Sequence, residues 1–285
     1  MPLVTTATLV DHARSIGSGV AAFNVITLEH AEGILAGAER AGGPVILQVS
    51  ENTVKFHGGR LRPLAAALAA LASEAAVPAG LHLDHVETAD LWHAAAAAGY
   101  SSVMVDAGAL PYEQNAAITA EAVRQLHAQG LGVEAELGYV GGKDTQASDA
   151  HAPGVRTDPR QAAEFVAATD VDALAVAVGS SHAMTSQTAE LDLELIGALR
   201  DALPVPLVLH GSSGVPDHTL RAAVHAGIVK VNIGTALNVA YSGALRQTLT
   251  GGADPRKALR AARDAVADTV SRLVDVVSTD QQFDL

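Results

Sequence analysis

Eight short apolar runs alternate along the chain with stretches of helical periodicity, and that alternation is the mark of parallel βα units. The runs are GVAAFNV (19–25), PVILQVS (44–50), AGLHLDH (79–85), SSVMVDA (101–107), GVEAELG (132–138), ALAVAVG (173–179), PLVLHG (206–211) and IVKVNIG (228–234). Between them lie amphipathic segments such as TLEHAEGILAGAERAG, TADLWHAAAAAG, DPRQAAEFVAAT and PDHTLRAAVHAG. Several open on Thr or Asp and close on Gly, the residues that begin and end helices. A further helix, DPRKALRAARDAVADTVSRLVDVV, follows the eighth unit. The chain of 285 residues fits one α/β barrel, which takes about 250 residues. The expected fold is therefore α/β: a single TIM-type (β/α)₈ barrel domain over residues 1–285 with an additional C-terminal helix. GKDTQASDAHAPGVRT (142–157), after strand five, is the one long polar stretch without periodicity, and such loops in compact domains are commonly functional lids or disordered.

Composition removes several classes of function. Eighteen basic residues against thirty-one acidic ones leave a net charge of −13, which repels nucleic acid and anionic membrane surfaces. No apolar run approaches the roughly 18 to 20 residues of a membrane span, and the first residues carry no secretion signal; a soluble, cytoplasmic protein is expected. The absence of cysteine excludes disulfides, thiolate metal sites and a cysteine nucleophile together.

The chemistry of a barrel sits where its strands end. Strand three ends in His82, Asp84 and His85, strand four in Asp106, strand five carries Glu134 and Glu136, strand six runs into His182, and strand seven ends in His210. Taken singly, each histidine is more simply a hydrogen-bonded residue near a loop. Repetition of His85, His182 and His210 at equivalent barrel positions reverses that preference, because three neutral imidazoles leaving an open position suit a catalytic zinc. His82 reads as a core or supporting group. His12, His30, His57, His93, His127, His151, His218 and His225 read as ordinary surface residues. A second constellation, HGSSG (210–214) and NIGT (232–235), follows strands seven and eight, where such barrels hold a phosphate on backbone N–H groups.

With these residues in view, the chain resembles the class II, metal-dependent, ketose-bisphosphate aldolases. The likeness runs through AFNV (22–25), LHLDH (81–85), SVMVDA (102–107), VEAELGYVGG (133–142), LAVAVGSSH (174–182), PLVLHGSSGVP (206–216) and KVNIGT (230–235), in the family's order. The resemblance implies Zn²⁺ on His85, His182 and His210, and a proton exchange between Asp84 and the hydroxyl at the cleaved carbon. It implies an alternative metal position at Asp106 and Glu136, with room for a second metal or a monovalent cation near the phosphate site. It implies dihydroxyacetone phosphate (DHAP) bound by Ala183, Gly211, Ser212, Ser213, Asn232, Ile233, Gly234 and Thr235, with Asn24 and Ser50 as further contacts. The family moves a second proton with a carboxylate on the loop after strand five, and here the candidate is Asp144. The chemistry suits these residue types: breaking the C3–C4 bond of a ketose leaves an enediolate that needs a cation at its oxygens.

Three departures from the family pattern touch substrate identity: Ala183 where the family has glycine, Lys143 before Asp144 where it often has a second acid, and Ala236 where an acid commonly follows NxxT. A Schiff-base aldolase is the rival enzyme reading, and of Lys55, Lys143, Lys230 and Lys257 only Lys230 lies on an expected strand. A metal hydrolase would leave the paired phosphate loops unexplained. A sugar-phosphate-binding barrel with little turnover is the reading outside catalysis, and fructose bisphosphate, tagatose bisphosphate and a deoxy-keto-gluconate phosphate are all open as substrates. Arg256, Arg260 and Arg263 are candidates for a distal phosphate. A homo-oligomer, dimer or tetramer, is expected from the prevalence of symmetric association, with the extra helix as one candidate interface.

Overall fold

The computed structural model describes residues 2–138, 140, 156–249 and 253–279. Strands β1 (Val20–Asn24), β2 (Val45–Ser50), β3 (Ala79–Val86), β4 (Ser102–Val105), β5 (Gly132–Leu137), β6 (Ala173–Val176), β7 (Leu207–Leu209) and β8 (Ile228–Ile233) close into a barrel in chain order. Every pairing, including β8 on β1, is parallel. The eight strands coincide with the eight expected runs, trimmed by up to three residues at an end, except that β3 runs one residue further, to Val86. The trimmed ends are the turns at which the chain leaves the barrel.

Helix α1 (Thr6–Ser15) precedes the first strand, and α2 (Leu28–Ala41), α4 (Leu61–Glu74), α5 (Ala89–Ala98), α6 (Tyr112–His127), α7 (Pro159–Thr169), α8 (Leu193–Ala202), α9 (Asp217–Ala226) and α10 (Thr235–Thr248) form the outer ring. A short α3 (Glu51–Phe56) follows β2, and α11 (Arg256–Val277) ends the described chain. Local chemistry sets the boundaries. Asp158 accepts from the N–H groups of Arg160 and Gln161 at 3.0 Å with Pro159 at the first helical position, and Gly42 closes α2 in the left-handed conformation.

Alternation along each strand divides its side chains between two environments. Leu81, Leu83, Val133, Ala135, Val231 and Ile233 join the large core between strands and helices. Their neighbours His82, Asp84, Glu134, Glu136, Lys230 and Asn232 face the barrel interior, where Lys230 bonds to Glu134 and Asn232 approaches Asp84. At the N-terminal end of the barrel, Leu9, Val10 and Ala13 of α1 pack on Val20, Ala22, Ile46 and Val229 and close the floor.

Helix α11 buries Ala262, Val266, Val270 and Val274 against this chain's own α2 and α10. The approach to α2 is close: a Cβ on Gly33 would lie 2.7 Å from the Arg263 carbonyl oxygen, and one on Gly37 would lie 2.5 Å from that of Ala267. The apolar face of α11 is thus covered within the barrel. Among the described residues, no helix is long and apolar enough to cross a membrane.

Candidate active site

A cavity of about 550 Å³ opens at the C-terminal end of the barrel. Its walls include Asn24, Ser50, Asp84, His85, His182, Ala183, Gly211, Ser212, Ser213, Asn232, Gly234 and Thr235. Residues expected from six different strand ends therefore meet in one place. Ile233 is the exception within NIGT, because alternation turns its side chain into the helix-facing core. Asp144 lies outside the described residues.

The three histidines converge. Ring centroids are 5.3 Å apart for His85–His182, 4.8 Å for His85–His210 and 5.7 Å for His182–His210, all edge to face. One ligand atom from each, with one from the Glu136 carboxylate, lies within 4.8 Å of the others. Asp106 is outside that group of four and bonds to His85 Nδ1 at 2.7 Å. A carboxylate can only accept, so Nδ1 carries the hydrogen and Nε2 the lone pair. His210 is held the other way round: Nε2 lies 2.9 Å from Glu134 Oε1 and 3.0 Å from Asn232 Nδ2, and Nδ1 faces Glu136 Oε2 at 3.4 Å. Three imidazoles and a carboxylate, without thiolate, are a donor set that fits a divalent metal.

The backbone that delivers these rings turns left-handed at or beside each of them. His85 itself has φ 48°, Ala183 beside His182 has φ 59°, and Gly211 beside His210 has φ 67°. Left-handed conformations are uncommon outside glycine, and at functional turns they persist because the surroundings impose them. The Ala183 departure thus falls where glycine would be relaxed. Gly211 has a further constraint, since a Cβ there would lie 2.6 Å from the Ser181 carbonyl carbon.

Asp84 is buried, and two amides hold it: Asn24 Nδ2 donates to Oδ2 at 3.1 Å and Asn232 Nδ2 approaches Oδ1 at 3.4 Å. Gln48 in turn donates to Asn24 Oδ1 at 2.9 Å. Opposite, Ser212 Oγ donates to the Asn232 carbonyl at 2.5 Å, and Ser213 Oγ accepts from the Ala236 N–H at 3.0 Å. The start of α10 and the turn after β7 therefore form one cradle of hydroxyls and backbone N–H groups, suited to an anion.

Sequence reasoning overlooked Gln48, Asn52, Thr53, Phe56 and Asn238, which also line the cavity. Gln48 carried a readable signal, an uncharged polar residue inside the apolar run PVILQVS. Helix α3 carried none, because six residues show no reliable period.

Other expectations need correction. His30 is not a surface residue: it is buried, stacks on Tyr241 with centroids 4.2 Å apart, and burial pushes its pKa down to about 4. Glu134 does not reach the rim. One pleat below Glu136, it bonds to Lys230 Nζ at 2.7 Å inside the barrel, and Lys230 is absent from the cavity wall, which removes it as a Schiff-base candidate. His82 sits in the same interior layer, bonded to Ser102 at 2.7 Å; burial and the nearby Lys230 charge hold its pKa well below the ordinary value. Arg256, Arg260 and Arg263 lie away from the cavity, around a separate hollow with Glu29 and Glu32. Arg256 pairs with Asp254, and Arg263 with Glu32 and Asp264.

A polar mouth on a closed parallel barrel, with converging imidazoles, a held carboxylate and a cradle suited to an anion, fits the active site of a metal-dependent enzyme. The sequence agrees: residues 4–282 match the family model for class-II fructose-bisphosphate aldolases, and the chain belongs to that family. The YdjI aldolase from Escherichia coli K12 is 34% identical, with 98% of each chain covered and a TM-score of 0.85. A Coccidioides immitis protein assigned as a fructose-1,6-biphosphate aldolase is 28% identical over 95% of each chain, again with a TM-score of 0.85. The fructose-bisphosphate aldolase of Campylobacter jejuni is 22% identical over 96% of this chain and 95% of its own, and shares the fold with a TM-score of 0.81.

Proposed function

We propose that this aldolase uses zinc to cleave a phosphorylated ketose of the fructose or tagatose 1,6-bisphosphate type reversibly to DHAP and an aldehyde. The observation that carries the reading is the placement of Asp84, whose carboxylate is bracketed by Asn24 and Asn232 at 3.1 and 3.4 Å in a cavity that also receives His85, His182 and the phosphate cradle.

His85, His182 and His210 would hold the zinc, with Glu136 alongside. When bound, it supplies fixed positive charge for the electron pair left on the three-carbon fragment. The cradle of Gly211, Ser212, Ser213, Gly234 and Thr235 binds the DHAP phosphate and fixes the substrate's orientation. Asp84 removes the C4 hydroxyl proton; the C4–O bond becomes the aldehyde carbonyl as the C3–C4 bond breaks, and its electron pair stays on C3. Asn24 and Asn232 keep the Asp84 carboxylate aimed at that hydroxyl. Protonation of C3, assigned to Asp144, completes DHAP, and condensation runs the same steps backwards.

The test is DHAP release from a panel of phosphorylated ketoses, the deoxy-keto-gluconate phosphate included, with chelator-stripped protein before and after zinc is restored. Cleavage lost with chelator and regained with zinc is expected, and the best substrate identifies the aldehyde half. Binding of sugar phosphates without DHAP release from any member would overturn the reading in favour of a binding barrel.

A further inference from the structure

We infer that Lys230 and Glu134, an ion pair sealed inside the barrel, are positioning residues that fix which nitrogen of His210 is presented to the metal.

The pair is costly where it stands. Lys230 is 1% exposed and Glu134 3%, and a buried ion pair adds less stability than a well-packed apolar pair of the same size. Its geometry matches a different task. Glu134 spends its two oxygens separately: Oε2 accepts from Lys230 Nζ at 2.7 Å, and Oε1 meets His210 Nε2 at 2.9 Å. Nε2 is flanked by Glu134 Oε1 at 2.9 Å and by the Asn232 amide nitrogen at 3.0 Å, so it is occupied within the protein, and Nδ1 is the atom that faces Glu136. Lys230 Nζ, bonded to the other oxygen of the same carboxylate, holds Glu134 against the ring.

His85 is fixed through its opposite nitrogen by Asp106 at 2.7 Å. The two outer carboxylates differ in their surroundings. Asp106 lies in the loop after β4, whereas Glu134 lies one pleat deeper, where a counter-charge must come from the opposite side of the barrel. Strand β8 supplies it through alternation: Asn232 reaches Asp84 in the upper layer, and Lys230, two residues earlier, reaches Glu134 in the lower one.

The inference rests on the metal-site reading of His85, His182 and His210, and its test separates the two. Apo protein would be titrated with Zn²⁺ against a chromophoric chelator, with thermal melting and the ¹⁵N signals of the His210 ring as independent readouts. The double variant Lys230→Met/Glu134→Gln removes both charges together, so its core contains no orphaned ion. It should melt at or near the wild-type temperature yet bind Zn²⁺ about 10- to 100-fold more weakly, the usual cost of losing an outer partner of a metal ligand, with shifted His210 ¹⁵N signals. A folded double variant that binds Zn²⁺ within twofold of wild type would overturn the inference and leave the pair a structural one. Should the double variant fail to fold, Glu134→Asp, which retains the charge but withdraws the carboxylate from Nε2, is judged by the same criterion. Unfolding of both variants also counts against it, since the pair would then serve the barrel itself. Wild-type protein that takes up no Zn²⁺ overturns the metal-site reading and this inference with it; unchanged affinity in the variants overturns this inference alone.

Discussion

The two ends of the barrel are built from the same strands, yet they are opposite environments. At the C-terminal mouth the cavity of about 550 Å³ admits solvent, and left-handed backbone at His85 and Ala183 aims polar groups into it. Toward the other end, α1 lies over the floor, and the hollow beside His82, Glu134 and Lys230 is only about 150 Å³. Two residues along β5, about 6 to 7 Å, separate Glu136 beside the three histidines from Glu134 in a buried ion pair. Residue type is therefore a poor guide to role in this molecule; depth along the strand decides it.

The largest effect that would break this contrast belongs to the mouth. Replacing Asp84 with Asn should leave melting and phosphate binding close to wild type while lowering kcat for DHAP release about 10²- to 10⁴-fold, the range for loss of a general base. A loss below tenfold would mean that the bracketed carboxylate is not the reacting one. On the floor the balance reverses. Leu9→Ala empties a site with 0% exposure and should cost about 2 to 5 kcal/mol in denaturant unfolding, with kcat unchanged in protein that remains folded; a changed kcat at full folding would show that the two ends are coupled.

His30 sharpens the comparison, being a buried histidine on the mouth side that does not reach the cavity. Its pKa falls from the ordinary 6.5 to about 4 on folding, so between these values the unfolded chain takes up a proton that the folded one refuses. Its contribution is complete above pH 6.5 and is lost as pH falls toward 4, a change of up to about 3 kcal/mol. Unfolding measured from pH 7 to 4 should therefore show a shallower slope for His30→Gln than for wild type, and equal slopes would remove His30 as the source. The smallest effect is at Ala183. Glycine relaxes its φ of 59° and should raise stability by about 0.5 to 1 kcal/mol; a lower melting temperature would mean that the methyl group is packed usefully against the cavity.

Much of this was readable in the linear chain. The short apolar runs and the helical patterns between them located all eight strands, and the ends of those runs carried His85, His182 and His210. Gln48 was readable as a polar residue inside an apolar run and was overlooked, whereas Phe56 escaped because it sits in a helix of six residues. His30 was misjudged because a histidine near a helix start looks the same in sequence whether it meets water or the ring of Tyr241.

What the sequence by itself determined is the architecture and the list of polar groups sent to one rim, since local alternation and turn chemistry are properties of neighbouring residues. What only the tertiary structure decided is how those groups are paired: Asp84 with Asn24 and Asn232, His85 with Asp106, His210 with Glu134, and Glu134 with Lys230. Those partners lie 21 to 148 residues apart. Closing the barrel brings them together, and a hydrogen bond depends on distance in space, which sequence separation does not encode.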